Sequence, residues 1–185
     1  PSPDMQELRE KAALHYGLLP ECFVFGNGAN ELIHALPRAL NLKRAVIPEP
    51  AFSEYRLACL CHGVEIDSVP SGEKTSFTPS LAALAERAGT NHEGEEQETA
   101  VFLANPCNPS GGLLDKKELF QTIKENPGTV WILDESFIDY TGGKESLLPD
   151  AATLPNLVIL RSLTKFYGMA GVRCGFAVSC ALLAE

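Results

Sequence analysis

A chain of 185 residues, 45% hydrophobic and 21% charged, has the size and make-up of one globular domain with a real core. Its formal net charge of −9 argues against nucleic acid or an anionic membrane as the main partner, while leaving room for a phosphate at a locally positive site. No apolar run approaches a membrane span and no signal peptide is visible, although the chain opens on Pro1 rather than Met, as a trimmed chain would.

In chain order, apolar spacing predicts a helix over 4–16, introduced by Ser2-Pro3 and ended by Gly17. A strand follows at Cys22–Phe25. Leu32, Ile33, Leu36 and Leu40 mark a second helix, which Pro37 is expected to kink or break. Strands are predicted at Ala45–Pro48, Val64–Val69, Thr99–Ala104, Thr129–Leu133, Leu157–Leu160 and Cys174–Val178, with helices over 52–62, 79–88 and 115–125. The acidic stretch Thr90–Glu98 and Gly142-Gly143-Lys144 read as surface loops. Strand–helix alternation at this spacing implies an α/β fold with a mostly parallel sheet covered on both faces; the expected architecture is three layers, αβα, with seven strands, the last antiparallel, so that Arg173 at its start lies at the edge where the other strands end. The six cysteines (Cys22, Cys59, Cys61, Cys107, Cys174 and Cys180) show no paired CxxC spacing, so no metal site is expected. They read as reduced, packing thiols of a cytoplasmic protein. His15, His34, His62 and His92 pair with no motif at ligand spacing.

In open α/β sheets a ligand sits beyond the carboxyl ends of the strands, and the unusual residues of this chain fall there. Gly26-Asn27-Gly28-Ala29-Asn30 follows the first strand and opens a helix, so the backbone N–H groups of Ala29 and Asn30 are candidates for holding a phosphate. The same residues also suit an ordinary helix cap. Pro50 to Tyr55 follows the second strand, and Tyr55 is either a stacking aromatic or a core residue. Asn108, between prolines, is a candidate donor to a phenolate, or plain turn chemistry. Asp134 ends a buried-looking run and needs a partner, which a protonated pyridine nitrogen would supply; the alternative is a helix cap. Lys165 lies between Ser162 at minus three and Arg173 at plus eight. An amine held near a hydroxyl and a guanidinium suits a Schiff-base site whose cofactor carries a phosphate, which points to pyridoxal 5′-phosphate.

The stretches GNGANELI, EPAFSEY, ANPCNPSGG, ILDESFIDY and RSLTKFYGMAGVRCGF, in this order, resemble the large domain of fold-type I, pyridoxal phosphate-dependent enzymes of the class I and II aminotransferase group. Within it the chain is most similar to threonine-phosphate decarboxylase of cobalamin biosynthesis and to histidinol-phosphate aminotransferase of histidine biosynthesis. The resemblance implies that Lys165 binds the cofactor covalently and shuttles protons at the substrate's Cα. It implies that Asp134 meets the ring nitrogen, Asn108 the phenolic oxygen and Tyr55 the ring face. Ser162, Arg173 and the Ala29–Asn30 backbone would hold the phosphate. It further implies a small-molecule amino substrate, a cis Asn108–Pro109 peptide and a homodimer with sites at its interface. Two departures stand out. Phe137 occupies a position where this group usually has tyrosine, and residues 1–185 correspond to the large domain alone, so a fragment with little turnover of its own is expected. Readings from other classes are a nucleotide-binding module, which lacks GxGxxG spacing and a Walker lysine, and a non-catalytic scaffold of the same fold.

Overall fold

The longest apolar runs of the chain form the middle of its sheet. In the computed structural model, which describes residues 5–89 and 98–180, strands β4 (Thr99–Ala104), β5 (Val130–Asp134) and β6 (Leu157–Ser162) are buried at every residue. Such continuous burial is what parallel strands covered on both faces require. The sheet has seven strands in the order β1-β7-β6-β5-β4-β2-β3, with β1 Phe23–Gly26, β2 Arg44–Glu49, β3 Glu65–Pro70 and β7 Gly175–Ser179. Neighbours from β3 through β6 pair in parallel. The last strand, β7, is antiparallel to both β6 and β1.

Alternate residues of each strand feed two separate cores. Val101, Leu103, Trp131, Leu133, Leu157 and Ile159 pack on one face, with Leu84 of α4 (Leu81–Gly89), Leu119 and Ile123 of α5 (Lys116–Glu125) and Ala13 of α1 (Gln6–Tyr16). Ala100, Phe102, Ile132, Val158 and Leu160 pack on the other, against Leu32 and Ile33 of α2 (Ala29–Ala39) and Tyr55 and Ala58 of α3 (Ser53–Cys61). The fold is thus the three-layer arrangement anticipated. Asp115 caps α5 by accepting the Glu118 N–H at 2.9 Å. Gly17 ends α1 in the left-handed region, its N–H on the Ala13 carbonyl.

Pro37 departs from expectation. Helix α2 continues through it to Ala39, and its ring is buried. Proline sits in the last turn, so its missing N–H costs one intrahelical bond and a kink there would misdirect only the two helical residues that follow. Residues 90–97, which hold His92 and nearly all of the acidic stretch, lie outside the described residues.

Candidate active site

A cavity of about 320 Å³ opens at the carboxyl edge of the sheet and is lined by Ala29, Asn30, Asn108, Asp134, Ser162, Lys165 and Arg173. Its volume is at the lower end of the range for small-ligand sites. These side chains arrive on the ends of β4, β5 and β6, the first turn of α2 and the entry to β7. β7 contributes from its start because it alone runs against the other strands.

The N-terminus of α2 is left open toward the cavity. No side chain caps it: Gly28 occupies the cap position at φ 86°, ψ 161°. Glu31 reaches back instead to the Asn27 N–H at 2.6 Å, and Gly28 gives its N–H to the Gly26 carbonyl at 2.8 Å. The N–H groups of Ala29 and Asn30 therefore keep the positive end of the helix available to an anion. Arg173, itself left-handed at φ 51°, lies over this turn. A Cβ on Gly28 would fall 2.7 Å from its Nη2, and the φ of 86° at Gly28 is one that side-chain-bearing residues adopt only with strain. A Cβ on Gly175 would fall 2.4 Å from the Ala29 nitrogen, which shows how closely the start of β7 presses on the same turn.

Across the cavity, Asp134 is 7% exposed and holds a hydrogen bond on each oxygen. Oδ1 accepts the Ser136 N–H at 2.9 Å and Oδ2 accepts the Tyr55 hydroxyl at 2.7 Å. The Ser162 and Thr164 hydroxyls are hydrogen-bonded, with Oγ and Oγ1 2.8 Å apart and either able to donate. Lys165 is exposed, and its Nζ stands 5.7 Å from the centre of the Phe137 ring. The Asn108 loop is tied by Gly111 N–H to the Cys107 carbonyl and Cys107 N–H to the Gly112 carbonyl, each 2.7 Å. The Asn108–Pro109 peptide is cis, as are Glu49–Pro50 and Asn105–Pro106. Burial pushes the Cys107 thiol up to about 11, so it stays protonated and unreactive at neutral pH.

Of the candidate residues, Tyr55 alone is absent from the lining. It is 1% exposed, behind Asp134 rather than over the cavity. Its ring stacks on Phe102, with centroids 5.6 Å apart. Tyr55 thus takes the core position that was its alternative reading, and the aromatic of that segment lining the cavity is Phe52, the residue capping α3. The backbone turns into the helix between the two, so the residue before the first turn faces the ligand and the one inside it faces the core.

Sequence reasoning also missed the support beneath the site. Arg161 is 6% exposed and bridges two acids, Glu135 Oε2 at 3.1 Å and Asp139 Oδ1 at 2.5 Å. Glu135 is fully buried and also accepts from the Ser146 hydroxyl at 2.6 Å and the Leu147 N–H at 2.8 Å. Desolvation raises its carboxyl above the ordinary range, with Ser146 and Arg161 opposing. The only signal was adjacency: Glu135 follows Asp134, and Arg161 precedes Ser162. Glu54, on the cavity lining, meets His34 Nε2 at 2.9 Å. Among the described residues no group of His, Cys, Asp or Glu is arranged to hold a metal ion.

The chain is similar to known proteins along its whole length. The family model for aminotransferase class I and II matches residues 1–185. Histidinol-phosphate aminotransferase of Pyrococcus furiosus is 35% identical over 172 residues, 93% of this chain and 47% of that protein. Among solved structures, L-threonine-O-3-phosphate decarboxylase from Porphyromonas gingivalis is similar with a TM-score of 0.82 and 26% identity, covering 100% of this chain and 52% of that one. Histidinol-phosphate aminotransferase from Sinorhizobium meliloti in complex with pyridoxal-5′-phosphate gives a TM-score of 0.87 at 24% identity, covering 100% and 49%, which is a likeness of fold. The chain spans about half the length of the curated histidinol-phosphate aminotransferases it matches.

Proposed function

The chain belongs to the class I and II aminotransferases, and on that premise we propose that residues 1–185 form the pyridoxal 5′-phosphate-binding large domain of an enzyme acting on a small phosphorylated amino compound. The observation that carries this reading is the single cavity that gathers Lys165, Asp134, Asn108, Ser162, Arg173 and the open turn at Ala29–Asn30. No nucleotide-binding motif accounts for a lysine, an aspartate and an asparagine converging in this way.

The residues fit the cofactor group by group. A dianionic phosphate suits an uncapped helix terminus, a serine hydroxyl and an arginine for which Gly28 leaves space. Asp134, with one hydrogen bond on each oxygen, retains lone pairs for a protonated ring nitrogen. Asn108 would donate to the phenolic oxygen, and Phe137, also on the lining, has no hydroxyl to offer as a second donor. Phe52 closes one side of the ring site. Pyridoxal phosphate, when bound, supplies an electron sink for the charge left at the substrate's Cα. Lys165 would hold the cofactor and would carry the proton at the substrate's Cα, a role open to an amine that no carboxylate neutralises among the described residues.

We take decarboxylation of threonine phosphate as the first reading of the reaction, supported by the likeness to the Porphyromonas gingivalis decarboxylase. Transamination of histidinol phosphate is the second, supported by the Pyrococcus furiosus relative. Assaying the intact protein with threonine phosphate, and with histidinol phosphate plus 2-oxoglutarate, separates them: release of CO₂ in the first assay supports decarboxylation, and glutamate in the second supports transamination. Neither product would overturn the substrate class. Further parts of the proposal are a cytoplasmic homodimer and little turnover by residues 1–185 alone. All six cysteines are free thiols, in keeping with a reducing compartment. Tyr140, Phe166 and Tyr167, at 62%, 47% and 53% exposure beside the cavity, offer a partner subunit an aromatic surface. No described helix is long and apolar enough to cross a membrane.

A further inference from the structure

The cofactor reading gives Asp134 a task and leaves Tyr55 without one. Tyr55 belongs to the first turn of α3, across the sheet's helical layer from the end of β5. Its phenol ring is wedged between Phe102, stacked at 26°, and Phe52, edge-on at 85°, both with centroids 5.6 Å away. A buried tyrosine needs a partner for its O–H, and most side-chain hydrogen bonds go to backbone or water. Here the hydroxyl instead takes the carboxylate of Asp134, 79 residues along the chain, at 2.7 Å.

That bond completes a frame around the carboxylate. Oδ1 is held by the Ser136 N–H of its own turn, at 2.9 Å. Oδ2 is held by the hydroxyl of Tyr55, whose side chain is 1% exposed. Two donors on two oxygens set the plane of the carboxylate and leave the remaining lone pairs to face the cavity. Burial, and after it the Asp134 charge, hold the Tyr55 phenol well above its ordinary range. It is therefore a donor at every working pH and never a competing anion.

We infer that Tyr55 is a positioning residue, which aims the Asp134 carboxylate at the ring nitrogen of pyridoxal phosphate through its hydroxyl; the inference rests on the cofactor reading proposed above. Tyr55 touches no ligand itself. It acts across Asp134, so removing its hydroxyl alters how the ring is held while leaving the core packed.

The test compares Tyr55→Phe with Phe102→Leu in the intact protein. Each is titrated with pyridoxal phosphate, followed by visible absorbance and by the induced circular dichroism of the visible band. Each is also melted without cofactor. Tyr55→Phe is expected to weaken cofactor binding by roughly tenfold, as for loss of a hydrogen bond to a charged group, and to change the dichroism of the band. Phe102→Leu removes packing and keeps the hydroxyl. It is expected to lower the melting temperature while affinity and dichroism stay near wild type. In an Asp134→Ala background, Tyr55→Phe is expected to cost no further affinity, because the two act as one unit. Wild-type affinity and dichroism in Tyr55→Phe overturn the inference, as does a further tenfold loss in the Asp134→Ala background. If Tyr55→Phe fails to fold, Phe102→Leu decides: lost affinity there means that packing, not the hydroxyl, sets binding, and retained affinity supports the inference. A wild-type protein that develops no visible band overturns the cofactor reading itself, a failure distinct from any of these.

Discussion

The two walls of the cavity are built by opposite means. The strand-end wall is buried: Asp134 and Ser162 are 7% and 5% exposed, and the Arg161–Glu135–Asp139 cluster lies directly behind them. The lysine wall, from Lys165 to Arg173, is open. Phe166, Met169 and Val172 are 47%, 44% and 59% exposed. What ties it is turn chemistry, with Gly168 N–H on the Lys165 carbonyl at 3.0 Å and Val172 N–H on the Met169 carbonyl at 3.1 Å. Groups that orient a ring gain from a rigid frame, because small misplacements are costly to catalysis. An amine that must release and recover a covalent bond gains from a lightly held segment. The contrast makes a general demand: substitutions on the open wall should cost function without stability, and substitutions behind the strand ends should cost stability first.

The largest effect is expected on the open wall. Lys165→Ala should abolish the visible band and lower turnover of the intact protein by roughly 10⁴-fold or more, the scale on which covalent catalysts lose rate without their nucleophile. Its melting curve should match wild type to within about 0.5 kcal/mol, since the side chain is exposed. A destabilised Lys165→Ala protein would break the comparison. Behind the strand ends, Arg161→Met should cost about 3–5 kcal/mol in a denaturant titration, because it strands the buried Glu135 without its cation.

The pH dependence of that loss sharpens the point. Glu135 has its folded value raised by burial, so the stability it contributes is complete below the ordinary carboxylate value and declines as pH rises through the folded value. Removing Arg161 takes away an influence that lowers that folded value. The deficit of Arg161→Met relative to wild type should therefore be small near about pH 4 and grow toward neutrality. A deficit independent of pH would assign the loss to packing alone.

Where the walls meet, Gly175→Ala should cost about 1–3 kcal/mol by overpacking, since its Cβ would fall 2.4 Å from the Ala29 nitrogen. It should also weaken phosphate binding, measured as affinity for free pyridoxal phosphate, by displacing the α2 turn. The smallest effect is expected for Thr164→Val, which removes the hydroxyl partner of Ser162. A loss of about 1 kcal/mol in cofactor affinity, with little change in melting, would place Thr164 among the orienting groups.

The sequence carried most of the fold because the central strands announce themselves. β4, β5 and β6 are unbroken apolar runs that only a doubly covered sheet can use. The antiparallel β7 was legible by a different route, since Arg173 reaches the rim only if that strand begins there. Gly-Asn-Gly before α2, the Asn108 turn and the Asp134 strand end were readable one at a time, and their convergence followed from the rule that α/β sheets bind ligands beyond their carboxyl edges. Three features were not readable. Whether Phe52 or Tyr55 faces the ligand depends on where the first turn of α3 begins, a matter of one or two residues that spacing does not resolve. Arg161, Glu135 and Asp139 carried no signal, because ion pairs between residues 26 and 22 apart in the chain leave no local pattern. Pro37 spoke for a break, and tertiary burial in the last turn overrode it.

The central claim is that one lysine on the open wall bonds to a cofactor held by the buried wall. Borohydride reduction of the intact protein loaded with pyridoxal phosphate, followed by peptide mass mapping, tests it most directly. The account predicts a single pyridoxyl group, on Lys165, and its absence when free phosphate competes in excess. A label spread over surface lysines, or fixed on a lysine outside the segment from Lys165 to Arg173, would contradict it.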